Sequence, residues 1–231
     1  MPRRPRHLPI GVPVHVIQRG NNRQICFTSD EDMGAYLSWM HEAATRCGVL
    51  VHAWVLMTNH VHWLVTPMRE YGVSRCIQHV GRHYVRFFND RYSRTGTLFE
   101  GRFKAHPVQT SEYLLRCMQY IELNPVRAGM AADPAEYRWS SYVAHALGKE
   151  PEMWTAHDEY HRLGSSKSAR QIAYRRLFED DLDRTLISEI KYAQETGFVL
   201  GTERFRQEYE ALTGEHQRYR KRGPKPDLGS E

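Results

Sequence analysis

The strongest constraint on the fold is a pair of apolar runs, residues 49–56 and 60–66, with only three residues between them. Both runs have the length and composition of buried strands, and so short a connection predicts an antiparallel hairpin. The second run carries His60 and His62. Side chains two residues apart on a strand point to the same face, roughly 6–7 Å from each other, so these imidazoles can converge on one metal ion.

The patterns on either side of the hairpin predict the rest of an α+β domain. Apolar positions recur three and four residues apart after Ser29 and again from residue 73, which indicates two amphipathic helices. We predict strands at 12–19 and 98–108, helices at 30–46 and 73–92, and a further helix that Ser111 caps and Asn124-Pro125 closes. The order β-α-β-β-α-β resembles a ferredoxin-like antiparallel sheet with helices on one face.

The composition changes after residue 147, and this change suggests further parts of the chain. Residues 148–168 are polar and rich in Gly, Ser and Lys, which is typical of a linker. Helical patterns follow at 169–178, 185–195 and 202–212. The predicted organisation is a main domain over 1–147, a linker over 148–168, a helical extension over 169–215 and a basic tail over 216–231.

Positive charge is concentrated in three segments, although the net charge is only +5. Residues 1–29 hold five arginines and no acid, residues 216–226 hold five basic residues and no acid, and residues 72–107 hold seven basic residues against two acids. For the termini alone, solubility tails are an equal explanation. The three segments together favour a polyanionic partner, and a basic stripe on helix 73–92 can follow a phosphate backbone.

Several classes of protein do not fit the sequence. No apolar run approaches the length of a membrane span, and the first residues lack the apolar stretch of a signal peptide, so we expect a cytoplasmic protein without a membrane partner. The four cysteines are scattered, and none forms a CxxC pair. They fit reduced structural residues better than a zinc knuckle.

A second group of candidate residues follows one turn of the helix after Ser111. Tyr120 and Asn124 are four residues apart and therefore share a helix face. A tyrosine hydroxyl can attack a phosphodiester beside a metal ion, an amide oxygen is a suitable hard ligand, and Arg116 and Arg127 can contact phosphate. The alternative is a half-buried tyrosine and a simple helix stop, because a residue before proline is biased away from helical geometry.

The combined motifs resemble a known family. His60-Val61-His62 matches the His-hydrophobe-His (HUH) motif of single-tyrosine HUH endonucleases, and residues 120–129 (YIELNPVRAG) resemble the tyrosine helix of REP-associated tyrosine transposases. The resemblance covers nearly the whole chain. Other matching segments are 18–21 (QRGN), 53–59 (AWVLMTN), 98–104 (LFEGRFK), 137–142 (YRWSSY) and 196–201 (TGFVLG) with Arg204-Phe205.

This resemblance implies a reaction and a cofactor. One Mg²⁺ or Mn²⁺ is held by His60, His62 and Asn124, and Tyr120 attacks a phosphate of single-stranded DNA to leave a 5′-phosphotyrosine and a free 3′-OH. The DNA is a hairpin of a repetitive extragenic palindrome (REP) with a short tetranucleotide beside it. The chain departs from its insertion-sequence relatives, which carry Gln where Asn124 stands. The shorter amide must lie nearer the metal, or water fills that position.

The resemblance and the basic segments also suggest how DNA is contacted. We expect a DNA partner, no small-molecule substrate, and either a monomer or a homodimer that exchanges tyrosine helices. The candidate DNA-contacting residues are Arg19, Arg23, Asn59, Arg82, Arg86, Arg102, Lys104, Arg116, Arg127, Arg220, Lys221 and Arg222. Two alternatives stay open: a zinc hydrolase that activates water at His60 and His62, and a DNA- or RNA-binding protein without catalysis.

Overall fold

The computed structural model describes residues 8–218, in which four antiparallel strands form one sheet with helices on both faces. The strand order is β2-β3-β1-β4, and β1 pairs with both β3 and β4. This arrangement confirms the predicted α+β fold with an antiparallel sheet. The strands are β1 (Val14–Arg19), β2 (Val49–Met57), β3 (His60–Pro67) and β4 (Lys104–Pro107).

The first long helix shows why its limits could be predicted. The Ser29 hydroxyl accepts a hydrogen bond from the Asp32 N–H, the Asp32 carboxylate accepts one from the Ser29 N–H, and Gly48 ends the helix at φ 65°. Among residues 8–218, no helix is long and apolar enough to span a membrane. The helices are α1 (Asp30–Cys47), α2 (Gly72–Arg91), α3 (Glu112–Glu122), α4 (Asn124–Arg127), α5 (Tyr142–Leu147), α6 (Asp158–His161), α7 (Lys167–Arg176), α8 (Arg184–Thr196) and α9 (Glu203–Thr213).

Successive side chains of each strand point to opposite faces of the sheet. Apolar side chains therefore form two hydrophobic cores, one on each face of the sheet. Helices α1 and α2 cover the first face, where Tyr36 and Tyr84 pack with Trp63 of β3. Helix α3 covers the second face, where its Met118 and other apolar residues pack against Leu64 of β3. The two helices of the ferredoxin-like plan, α1 and α2, therefore share the first face. Helix α3 lies on the second face, which carries His60 and His62.

Three details of the predicted elements were wrong. Strand 98–108 is shorter than predicted, because Gly101 at φ 49° interrupts it and only an isolated bridge joins Phe99 to Gly20. Ser111 does not cap α3 with its side chain, since φ 67° places it outside the extended geometry that a capping residue adopts. The helix also does not end at Asn124-Pro125 as predicted: α3 ends at Glu122, and Asn124 begins α4.

The segment predicted as a linker, residues 148–168, packs against the main domain. The Thr155 N–H donates to the Val51 carbonyl of β2, and the Tyr160 hydroxyl donates to the His145 carbonyl of α5. Tyr174 of α7 and Ile190 of α8 belong to the same apolar cluster as α3. The extension thus completes the core on the second face, although most of the predicted tail (219–231) lies outside the described residues.

Candidate active site

The histidine pair lies on the second face of the sheet, beneath α3. In the β1–β3 register, His62 stands opposite Ile17 and His60 stands opposite Arg19. The two imidazole ring centroids are 5.0 Å apart. His62 is buried, whereas His60 is half-buried at the end of the strand. The two histidines therefore lie on one face of the sheet, and the more exposed of them, His60, lies next to Arg19.

Helix α3 brings Tyr120 to the same place. The Tyr120 ring centroid lies 6.3 Å from that of His62 and 6.3 Å from that of His15. Only 4% of Tyr120 is exposed, because α3 packs across the sheet. The fold thus brings together a tyrosine and an imidazole that are 58 residues apart in the sequence.

Asn124 sits one turn beyond the tyrosine, although α3 itself has ended. Its side-chain nitrogen donates to the carbonyl oxygens of Tyr120 at 2.9 Å and Ile121 at 3.1 Å. These bonds satisfy carbonyls at the end of the helix. Because the nitrogen is committed to the backbone, the side-chain oxygen is the atom that remains available to a cation.

Two further histidines adjoin the pair, and the sequence reasoning missed both. His15 Nε2 lies 2.8 Å from His62 Nδ1, and His15 Nδ1 lies 3.3 Å from His106 Nε2. Both added residues are completely buried. The only sequence signal was a polar residue inside an apolar run, as in Val14-His15-Val16. Their proximity to His62 depends on the strand order, which places β1 between β3 and β4.

Burial determines the protonation of these rings. It lowers the pKa of His60 to about 4, with a smaller contribution from Arg19. It also lowers the pKa of His62 and of His15 well below the ordinary value, and that of His106 to about 3. The imidazoles are therefore neutral at pH 7, which is the form that can bind a metal ion.

The hydrogen bonds of the pair fit a divalent cation. His60 Nδ1 lies 2.6 Å from Asn59 Oδ1, and His62 Nδ1 is held by His15, so each ring keeps Nε2 available. Anchoring of one ring nitrogen while the other faces the cation is typical of metal-binding histidines. Within 8–218, no cluster of three or more His, Cys, Asp or Glu could hold a metal. An amide, a water or a phosphate oxygen must complete the site.

Positive charge surrounds the tyrosine and the open end of the pair. The Arg127 guanidinium lies over the Tyr120 ring, 4.5 Å from its centroid. Arg19 lines a cavity of about 140 Å³ together with Lys191 of α8. The extension thus contributes a cation beside the histidine pair. The other residues that line this cavity are Ile17, Glu100, Arg102, Lys104, Gln194 and Glu195.

The remaining predicted DNA contacts are distributed over the molecule. Asn59 donates to the Arg23 carbonyl next to His60, so these two adjoin the site. Arg116 donates to Gln119 and lines a cavity of about 290 Å³ with three aspartates, which disfavour a phosphate. Arg82 and Arg86 are exposed on α2, on the other face. Arg220, Lys221 and Arg222 lie outside the described residues.

One family model and two solved structures are similar to this chain. A family described as "Transposase IS200 like" matches residues 11–124, which include the histidine pair and Tyr120. A solved structure of a REP-associated tyrosine transposase bound to a REP hairpin matches with a TM-score of 0.52 and 19% identity, over 68% of this chain and 93% of that chain. A putative transposase from Deinococcus radiodurans R1 matches over 52% of this chain and 95% of that chain, at 18% identity and a TM-score of 0.37. No curated protein matches the chain.

Proposed function

Because residues 11–124 of the chain belong to the IS200-like transposase family, we propose that the protein cuts and rejoins single-stranded DNA through Tyr120. The observation that carries this proposal is the position of the Tyr120 ring, 6.3 Å from His62 on the face where both histidines converge. A tyrosine beside two neutral imidazoles is suited to phosphoryl transfer near a cation.

The residues that would hold the cation are His60 and His62, with the Asn124 side-chain oxygen or a water as third ligand. A bound Mg²⁺ or Mn²⁺ would polarise the scissile phosphate and neutralise the charge that develops on it. Asn59 and His15 fix the orientation of the two rings through Nδ1. His60 and His62 stay neutral at pH 7, so no proton has to leave them before they bind.

Tyr120 is the proposed nucleophile. Its hydroxyl oxygen attacks phosphorus, the bond from phosphorus to the 3′ oxygen breaks, and the products are a 5′-phosphotyrosine and a free 3′-OH. Because the phosphotyrosine keeps the energy of the broken bond, the 3′-OH can attack it later to reseal a strand. Arg127 would contact the phosphate, a role supported by the position of its guanidinium over the tyrosine ring.

We propose REP-type hairpin DNA as the substrate, because the solved REP-associated tyrosine transposase described above is bound to a REP hairpin. Arg19, Arg102, Lys104 and Lys191 around the cavity beside His60 supply the positive charge that a DNA backbone requires. The cavity also contains Glu100 and Glu195, so its lining residues carry four cations against two carboxylates. A phosphate on either side of the scissile one can be held there.

The tyrosine helix acts, we propose, on the sheet of its own chain. The buried Glu122 carboxylate, two residues after Tyr120, accepts hydrogen bonds from Ser141 and Tyr174 and is bound to His145 Nδ1 at 2.8 Å. These contacts join α3 to α5 and α7 of the same chain. We propose a monomer, in which these contacts stay within one chain; in a dimer with exchanged α3 helices the same buried contacts would have to form between the two chains.

The test is incubation with a labelled REP-like hairpin with single-stranded flanks, in Mn²⁺. The proposal expects a covalent protein–DNA adduct that survives denaturing gel electrophoresis and maps to Tyr120. Cleavage without an adduct would favour the activated-water alternative. Binding that persists in a chelator, without cleavage under any metal, would favour a protein that only binds nucleic acid.

A further inference from the structure

An apolar groove of about 590 Å³ lies on the first face of the sheet, away from Tyr120. This size is within the roughly 300–1,000 Å³ of ligand sites in proteins. One wall is α2, which contributes Ile77, Gly81 and Val85 in successive turns. The opposite wall is the segment 96–103, with Phe99 and Phe103. The proposed reaction uses none of these residues.

Gly81 is the feature that opens the groove. A glycine in the interior of a helix destabilises that helix relative to alanine, so a structural reason is expected for it. Packing does not supply one, since a Cβ at this position would meet only Gln18 Nε2, at an ordinary distance of 3.8 Å. The absence of a side chain between Ile77 and Val85 instead leaves a notch in the wall.

The rim of the groove is positively charged. Arg82 and Arg86 are exposed on α2, and Arg102 is exposed on the opposite wall. Arg102 also lines the cavity beside His60. The two cavities therefore meet at Arg102, at the edge of the sheet, so that one strand of a polyanion can occupy both.

We propose that this groove receives an unpaired base of the single-stranded DNA, with the adjoining phosphates against Arg82, Arg86 and Arg102. Aromatic and aliphatic side chains below a cationic rim are the combination that proteins use for single strands, in which bases stack and the backbone follows the charge. The identification of the ligand as single-stranded DNA rests on the proposed function, whereas the groove itself is observed independently of it. The substrate thereby contacts both faces of the sheet.

The direct test fills the notch with Gly81→Leu and measures binding by fluorescence anisotropy. The probe is a dye-labelled hairpin with single-stranded flanks, together with a set in which each flank nucleotide in turn is abasic. Wild-type protein should lose roughly tenfold in affinity when one particular nucleotide is abasic, since a stacked base is worth about 1–3 kcal/mol. Gly81→Leu should bind the intact probe roughly tenfold more weakly and show no further loss at that nucleotide.

Gly34→Leu is the matched control. Gly34 also lies inside a helix, is exposed, and has no atom within 4 Å of a built Cβ, but it is not among the residues that line the groove. This variant should bind within twofold of the wild type. Thr97→Trp, which fills the groove from the exposed opposite wall, should reproduce the effect of Gly81→Leu independently of any change in α2.

The proposal is overturned if both filled variants bind within twofold of the wild type. It is also overturned if Gly81→Leu remains as sensitive to every abasic position as the wild type. Failure of the proposed function is a separate result, namely the absence of a Tyr120 adduct with wild-type protein at saturating DNA. Gly81→Leu should still form that adduct when DNA is saturating, because the substitution replaces no residue that is proposed to take part in cleavage.

Discussion

His15 Nε2 lies 2.8 Å from His62 Nδ1, and this contact links the candidate metal site to the interior of the sheet. If His62 presents Nε2 to a cation, its Nδ1 carries the proton and His15 Nε2 accepts it. His15 Nδ1 then donates to His106 Nε2, 3.3 Å away. One tautomer of each ring makes both hydrogen bonds of the series, which fix the orientation of His62, and it leaves the buried Nδ1 of His106 without a partner.

Replacement of His15 by Phe should weaken Mn²⁺ binding by about tenfold, because residues that support a metal ligand typically contribute 10–100-fold in affinity. Phenylalanine keeps the stacked ring but cannot accept the proton of His62. Isothermal titration with Mn²⁺ measures the change in affinity. His15→Gln, whose amide oxygen can accept the same hydrogen bond, should recover most of it. Equal affinity in His15→Phe and the wild type would show that His15 only fills space.

Asn124→Ala tests the third ligand. If the Asn124 oxygen binds the cation, Mn²⁺ affinity should fall about tenfold. A melting curve of the metal-free variant controls for the two backbone hydrogen bonds that the side-chain nitrogen makes at the end of α3. An unchanged Mn²⁺ affinity would mean that water occupies the third position and that Asn124 only caps the helix.

Glu122→Ala should destabilise the protein by about 3–5 kcal/mol, because it leaves Ser141, His145 and Tyr174 without their buried partner. Urea unfolding followed by circular dichroism gives the free energy of unfolding. Glu208→Ala is the control, since its pair with Arg204 is exposed and should contribute little to the free energy of unfolding. If Glu122→Ala lowers the free energy of unfolding no more than Glu208→Ala does, Glu122 does not anchor α3 to α5 and α7.

The protein should lose stability on mild acidification because of His52, which lies outside the candidate site. Both of its ring nitrogens are hydrogen-bonded, to the Thr155 carbonyl and the Thr66 hydroxyl, and burial lowers its pKa to about 4. The unfolded chain binds the proton near pH 6.5 and the folded chain only near pH 4. Stability is therefore complete above pH 6.5 and falls between pH 6.5 and 4, by about 3 kcal/mol from this residue.

Urea unfolding at pH 7 and pH 4 measures this loss, and His52→Gln should reduce it. The other buried histidines remain in that variant, so part of the pH dependence should persist. A pH dependence identical to that of the wild type would contradict the assignment to His52.

The sequence predicted those features that depend on local spacing. The two-residue period of a strand places His60 and His62 on one face, and Ser29 and Gly48 set the limits of α1. Features that depend on contacts between distant segments were not predictable. The series from His62 through His15 to His106 requires β1 in the middle of the sheet.

The same limit applies to single residues whose backbone conformation depends on the tertiary structure. Ser111 has the side chain of a helix cap, but its positive φ prevents that role. Glu122 belongs to the segment that suggested the tyrosine helix, yet its three partners come from α5, α7 and the turn before α5. Segment 148–168 has the composition of a linker, but its backbone bonds to β2 hold it against the sheet.

The central claim is that Tyr120 is the nucleophile, and one comparison tests it most directly. Wild-type and Tyr120→Phe proteins are incubated with the same labelled hairpin in Mn²⁺, and cleavage, covalent adduct and binding affinity are measured in parallel. We expect the substitution to abolish cleavage and adduct while affinity stays within about twofold, because it removes only a hydroxyl from a buried ring. A Tyr120→Phe protein that still cuts the DNA would contradict the account and move the chemistry to another nucleophile.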